Sequence, residues 1–150
     1  MSIIGQCVAD VDTPTLLVDL DRLEANIRRY AAIAARAGVR LRPHIKTHKT
    51  LEIADMQLRA GASGISTAKL SEAEVYGAAG ITNIFVAYPV VGVEKAHRAA
   101  QLAQRCHLIV GAESAKGIQQ LSAAAPDELV VVREGIVQHV WPVAARGRRQ

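Results

Sequence analysis

Apolar and polar positions along this chain switch repeatedly between two periods. Thr15-Leu16-Leu17-Val18 is a short apolar run behind the turn Asp12-Thr13-Pro14, and it predicts a strand. Asp21-x-x-Glu24 then has the spacing of a capping box, with aspartate in the capping position, and opens a predicted helix that runs to about residue 37. Leu23, Ile27, Tyr30 and Ala34 recur at intervals of three and four, which gives that helix one buried face. Gly38 stops it where a left-handed cap is wanted.

The same order of signals then recurs. Further strands are predicted at 39–42, 64–67, 84–87, 107–110 and 129–132. Helices are predicted between them at 50–60, 71–79, 93–104 and 114–124. Leu51, Ile53, Ala54 and Leu58 supply the apolar face of the first of these, and Ser71-x-x-Glu74 is a second capping box. Strand and helix alternate at roughly twenty to twenty-five residues per unit, the βαβ signature of a parallel sheet. Such a sheet is either open and doubly wound or closed as an eight-unit barrel. An open sheet usually carries a Gly-rich phosphate loop after an early strand, and none is present; Ala60-Gly61-Ala62-Ser63-Gly64 follows a helix and reads as a helix stop. The expected fold is therefore α/β, a partial (β/α)8 TIM-type barrel. It comprises about the first five βα units, within 1–132, followed by an irregular, aberrant tail at 133–150. A full barrel takes about 250 residues, so the chain is expected to be truncated or frame-changed near residue 133.

Composition narrows the class without altering that picture. Half of the 150 residues are apolar and 21% are charged, a balance that excludes a disordered chain. The most apolar stretch, 81–93, is interrupted by Asn83 and Pro89 and is too short to cross a bilayer, so no membrane partner is expected. No basic segment followed by an apolar run opens the chain, and no signal peptide is expected. Cys7 and Cys106 form no ligand-spaced pair and read as free thiols of a reducing compartment, the cytoplasm. The net charge of +4 invites a nucleic-acid reading. Arg133, Arg146, Arg148 and Arg149 against Glu134 alone place most of that charge in the tail, however, and the body is nearly neutral. With few aromatic residues for base stacking, no nucleic-acid partner is expected.

The densest polar cluster is Arg42-Pro43-His44-Ile45-Lys46-Thr47-His48-Lys49-Thr50, where a predicted strand ends and the loop to the next helix begins. Active sites of parallel α/β folds collect on that face. If the strand continues through the cluster, Arg42, His44, Lys46 and His48 share one side, and an inward-facing lysine ammonium must be desolvated. His44 and His48 at this spacing would suit a metal on a helix. The setting of Pro43 favours an extended backbone instead, on which they stand about 13 Å apart and cannot share an ion. A solvated basic loop, or an anion site at the start of the next helix, is the alternative reading of the cluster. Ser66, Thr67 and Tyr88 fall at or near predicted strand ends. They either point into the same mouth or serve as barrel filling and turn hydrogen bonds. Asp19, Glu72 and Glu74 read as helix-start residues that complement the helix dipole.

Three segments, in this order, resemble the opening of a known family: Asp12-Thr13-Pro14-Thr15-Leu16-Leu17-Val18-Asp19, Arg42-Pro43-His44-Ile45-Lys46-Thr47-His48-Lys49 and Gly64-Ile65-Ser66-Thr67-Ala68-Lys69-x-x-Glu72-Ala73. The family is that of the alanine-racemase-like, fold-type III pyridoxal-phosphate enzymes. The Pro-His-x-Lys-Thr-His-Lys run is specific for its D-threonine aldolase and D-serine dehydratase branch, and the resemblance covers about residues 10–132. It implies that Lys46 matches the lysine that carries pyridoxal 5'-phosphate covalently, which makes Lys46 the catalytic residue and the cofactor anchor. His44 and Arg42 are further cofactor-site candidates, for tuning or substrate contact. An amine must shed a proton before it attacks an aldehyde, and burial among Arg42, His44 and Lys49 is expected to favour the neutral form. The cofactor acts as an electron sink, and Lys46, once released, is placed to move a proton at Cα. Full-length relatives add a divalent metal and form homodimers. The metal ligands and the phosphate-cradling Gly/Ser loops of the family fall beyond the matched segments, so no metal ligand is assigned here. Where the family carries an acidic-Gly-Arg segment, Glu134-Gly135-Ile136-Val137-Gln138-His139 gives a distorted echo.

The implied function is lyase chemistry on a small D-3-hydroxy amino acid. In the aldolase route the β-hydroxyl is deprotonated and Cα–Cβ breaks. In the dehydratase route Lys46 takes the Cα proton and a metal-assisted hydroxyl leaves. Two other readings stay open: a non-catalytic pyridoxal-phosphate-binding or homeostasis protein, and an inactive fragment that persists by associating with other chains. The second of these follows from the unpaired edges that five βα units leave.

Overall fold

The computed structural model describes residues 5, 7–124, 129–133 and 141–142. Among them five helices alternate with strands: α1 (Leu20–Arg36), α2 (Leu51–Arg59), β1 (Ile65–Thr67), α3 (Leu70–Ala78), β2 (Asn83–Pro89), α4 (Val93–Ala103), β3 (His107–Ala112), α5 (Ala115–Ala124), β4 (Leu129–Arg133) and β5 (Trp141–Pro142). Short 3-10 turns occupy Val8–Asp10 and Ile45–Thr47. The strands form one sheet in the order β1-β2-β3-β4-β5. The first four are parallel, and β5 runs antiparallel to β4, with Val131 opposite Trp141. Each parallel strand is laid beside the one before it after an intervening helix. This is the winding of a barrel wall, whereas a doubly wound sheet reverses its strand order partway. The partial barrel expected from the sequence is the architecture found. Trp141–Pro142 adds a short antiparallel strand within the stretch expected to be irregular.

Strand pleat divides the sheet into two faces. Ile65, Ile84 and Leu108 share one register row and Thr67, Val86 and Val110 another, and all six are fully buried. They pack against Ala73 and Tyr76 of α3, Ala96, Ala99 and Leu102 of α4, and Leu121 of α5. This apolar layer is the core. On the other face Ser66, Phe85 and Ile109 form a row in which the two apolar residues are only half-buried. Gly38 and Gly61 follow α1 and α2 with φ of 65° and 101°, as the helix-stop reading requires. Cys7 is exposed and Cys106 buried, and both are free thiols. No helix among the described residues is long and apolar enough to cross a membrane.

Several local expectations are corrected. Residues 15–18 are not a strand. Leu16 is 97% exposed, and no described segment offers the ladder partner that an isolated strand needs. Residues 39–42 are not a strand either. The extended stretch lies two residues later, where the Ser63 N–H donates to the Leu41 carbonyl and the Ser66 N–H to the Pro43 carbonyl, both at 2.8 Å. One parallel bridge, His44 to Ser66, is all that forms there; Pro43 has no N–H with which to extend the ladder.

The caps shift as well. Asp19, not Asp21, caps α1, its carboxylate accepting the Arg22 N–H at 3.0 Å. Asp19 still has extended backbone and stands three residues before that orphan donor, the geometry of an N-cap. Ser71 does not cap α3. Lys69 holds the cap position without a side-chain bond, and Glu72 reaches back to accept the Ala68 N–H at 2.9 Å. Of the predicted apolar face of α1, Ala34 is buried, Leu23 and Ile27 are half-buried, and Tyr30 stays exposed. Leu23, Ile27 and Tyr30 line an apolar cleft of about 290 Å³ shared with Leu41 and Pro43.

Candidate functional site

The polar cluster of the sequence lies where the extended 41–44 stretch gives way to α2. Beyond His44 the chain does not continue as a strand, because Ile45 is drawn completely into the core and the backbone closes into the 3-10 turn Ile45–Thr47. The Lys49 N–H donates to the Ile45 carbonyl at 2.9 Å, and Lys49 itself adopts a left-handed φ of 52°. Arg42, His44, Lys46 and His48 therefore do not share one side, since strand alternation ends at His44. The Lys46 side chain, expected to be buried, is exposed next to the buried Ile45.

His44 is fixed at both ends. Its backbone pairs with Ser66 of β1, and its Nδ1 accepts the Lys46 N–H at 3.2 Å. Burial pushes the imidazole below its usual pKa, the Lys46 charge pushes the same way, and Glu72 opposes them. His44 is thus neutral at physiological pH, and with Nδ1 accepting, the proton sits on Nε2. His48 is also held down by burial, against the raising effects of Gln57 and the Thr50 backbone. Its Nδ1 accepts the Thr50 N–H at 3.1 Å at the start of α2.

Arg42 points elsewhere. Its Nη1 donates to the carbonyls of Ile65 and Asn83, at 3.4 and 3.5 Å, where β1 and β2 begin. Burial, and then the charge of Arg40, lower its pKa from the usual arginine value. The structure therefore brings His44 and Lys46 together and sets Arg42 toward the N-terminal ends of the strands. Ser66 lies in the His44 row, whereas its neighbour Thr67 faces the helices, fully buried, with its Oγ1 donating to the Lys69 carbonyl at 3.2 Å. Ser66 and Thr67 therefore do not point into one mouth. Tyr88 is exposed within the irregularity between Val86 and Pro89 of the β2–β3 register, beside a cavity of about 150 Å³ that Lys69, Ser71 and Lys95 also line.

One pairing was not visible in the sequence. Glu72, named there only as a helix-start residue, places Oε1 3.0 Å from the Lys49 Nζ while its Oε2 holds the Ala68 N–H. Burial raises its pKa, but the Lys49 and backbone N–H interactions outweigh burial and hold the carboxyl below its usual range. Setting the cap of α3 two residues earlier, at Lys69, would have exposed the signal, because Glu72 then stands at the position from which a glutamate reaches back. Glu74 is committed to Arg98 of α4, through bonds of 2.8 and 2.6 Å.

A cavity of about 640 Å³ lies at the opposite end of the strands, lined by Glu52, Asp55, Ser63, Gly64, Thr82 and Asn83. Its lining includes no amine, imidazole or thiol. Among the described residues no three His, Cys, Asp or Glu side chains converge to hold a metal ion. Residues 134–139, where the sequence shows its distorted acidic-Gly-Arg echo, and the arginines of the tail at 146–149 lie outside the described residues.

Comparison with known proteins gives a consistent assignment. The family described as alanine racemase, N-terminal domain, matches residues 18–139. A D-threonine aldolase of Arthrobacter sp. is 45% identical over 120 residues, which are 80% of this chain and 32% of that protein. D-threo-3-hydroxyaspartate dehydratase of Delftia sp. (strain HT23) is 41% identical over 114 residues, 75% of this chain and 30% of that one. The crystal structure of D-threonine aldolase from Filomicrobium marinum superposes with a TM-score of 0.78 at 43% identity, covering 83% of this chain and 35% of the other. The chain spans about a third of the length of the relatives it matches.

Proposed function

Because the chain belongs to the alanine racemase N-terminal domain family, we propose that it carries the lysine-bearing wall of a pyridoxal-phosphate-dependent lyase acting on D-3-hydroxy amino acids. The observation that carries this reading is the placement of Lys46. It is an exposed primary amine, one buried residue away from a neutral imidazole, at the C-terminal side of a parallel sheet. A nucleophilic lysine needs that access. The neighbouring Lys49 is neutralised by Glu72, so Lys46 is the ammonium of this loop without an ion-pair partner among the described residues. These residues fit the cofactor that the family resemblance implies.

When bound, the cofactor supplies a sink for the electrons released at the amino-acid Cα. The chain's own residues do the rest. Lys46 would hold the cofactor through its aldehyde carbon, and its amine is placed to accept or return a proton at the amino-acid Cα. His44, with Nδ1 bound to the Lys46 backbone, orients the turn from which that amine emerges and presents an Nε2–H donor. Arg42 supports the same row from below, through the carbonyls at the starts of β1 and β2. No ligand set for a divalent ion converges among the described residues, and no step is assigned to one.

The test is chemical. The full chain is mixed with pyridoxal phosphate, treated with borohydride and mapped by peptide mass spectrometry, with the K46A variant as control. The adduct is expected on Lys46 and absent from that peptide in K46A; a wild-type chain with no adduct on Lys46 overturns the proposal. D-threonine and D-serine are then supplied to the cofactor-loaded chain. Turnover supports the lyase reading, and an adduct without turnover supports a cofactor carrier.

A further inference from the structure

Glu72 links two parts of the site, the β1–α3 connection and the far end of the 44–49 loop. It is the N-terminal-turn carboxylate of α3, and its side chain is only 14% exposed. One oxygen holds the Ala68 N–H in the β1–α3 connection at 2.9 Å. The other stands 3.0 Å from the Nζ of Lys49, at the far end of the loop that begins with His44. Its charge also reaches His44 and Tyr76. The loop is thus closed at one end by the His44–Ser66 bridge and at the other by the Lys49–Glu72 pair, with Lys46 between the two fixings.

The backbone shows why the second fixing matters. Lys49 sits at φ 52°, a left-handed conformation that a residue with a Cβ seldom adopts without compensation. The conformation turns the chain from the 3-10 turn into α2, and the ion pair is the interaction of the Lys49 side chain that holds it there. We infer that Glu72 is the positioning residue for Lys46: through Lys49 it clamps the 44–50 loop onto the start of α3 and so sets where the Lys46 amine emerges. The clamp itself stands on the contacts above; its consequence for cofactor attachment rests on the function proposed for Lys46.

The experiment compares the full wild-type chain with E72Q, K49M and the double variant. Gln keeps an acceptor for the Ala68 N–H and removes only the charge, while Met keeps the Lys49 stem and removes the ammonium. Amide hydrogen exchange is read first, without cofactor. Exchange across 45–50 is expected to rise about tenfold in each single variant, the order for losing one charge-assisted contact. The double variant should exchange no faster than either single one, and α4 should be unchanged in all. Borohydride-trapped pyridoxal phosphate is then mapped for its distribution over Lys46, Lys95 and Lys116. Wild type is expected to favour Lys46, and E72Q and K49M to lose that preference, which a simple helix-capping role for Glu72 would leave intact. Unchanged loop exchange in both single variants overturns the clamp, as does a Lys46 share that stays at its wild-type level. A wild-type chain that shows no preference for Lys46 defeats the cofactor reading instead, and the exchange data still decide the clamp.

Discussion

His44 stands beside Ser66 in a single parallel bridge, and the Ser66 N–H donates to the Pro43 carbonyl at 2.8 Å. This contact joins the polar loop to the sheet and places Lys46 just past the C-terminal end of the row. The same register sets Arg42 beside Gly64. There the Arg42 guanidinium and the start of β2 crowd the backbone so closely that a side chain has no room.

Gly64 is therefore a sensitive position. A Cβ added to it would lie 2.5 Å from the Asn83 carbonyl oxygen and 2.6 Å from the Arg42 Nη1. Overpacking against backbone cannot be relieved by a rotamer change, so G64A is expected to cost about 2 kcal/mol. Urea unfolding reads this directly, and an unchanged midpoint would mean that the approach of these segments is wrong.

The two aspartates at the start of α1 separate the observed cap from the one the spacing suggests. D19A removes the acceptor of the Arg22 N–H and should lose about 1 kcal/mol. D21A removes a first-turn charge and should stay within about 0.5 kcal/mol of wild type. Equal losses in thermal or urea melts, or the reverse order, would return the cap to Asp21.

Acid should destabilise the chain in two stretches. The imidazoles of His44 and His48 are lowered by burial, so the unfolded chain takes up protons before the folded one does. Stability is complete above the unfolded value of about 6.5 and falls as pH drops below it. Glu72 and Glu74 are lowered too, Glu72 by Lys49 and backbone N–H groups against burial, and Glu74 by Arg98. Their contribution is present above about pH 4.3 and is lost as pH falls toward their folded values. Urea midpoints taken across this range should show both declines, and E72Q should flatten only the lower one. A midpoint that rises on acidification would contradict the assignment.

Tyr76 is 3% exposed, and its hydroxyl has no hydrogen-bond partner among the described residues. Burial, then the charges of Glu72 and Glu52, raise its pKa and keep it neutral. Removing a buried, unpartnered hydroxyl relieves a desolvation cost, so Y76F should gain about 1 kcal/mol. A loss in the same urea assay would show that the hydroxyl is satisfied in solution.

Much of the fold was legible in the sequence because its signals are local. Gly38 and Gly61 close helices where the pattern ends, and the core rows Ile84–Val86 and Leu108–Val110 fall inside strands predicted from short apolar runs. Residues 15–18 misled for the opposite reason. Their apolar run describes a strand, but a strand exists only through its ladder partner, which no local pattern supplies. The 39–42 segment was displaced by two residues, because the donors of Ser63 and Ser66 select which carbonyls they meet.

At the site, the sequence by itself determined that a lysine flanked by histidines follows an extended stretch, and it tied Lys46 to a family through an unbroken run of residues. Tertiary structure alone decided what surrounds that lysine. Burial of Ile45 turned the loop away from strand alternation and exposed Lys46, while the carbonyls of Ile65 and Asn83 took up Arg42 at the other end of the sheet. It also brought Glu72 to Lys49 across 23 positions of sequence. Periodicity and motif spacing report the few residues nearest in the chain. A carboxylate that holds a loop from another element obeys only distance and charge, and these exist once the elements have packed.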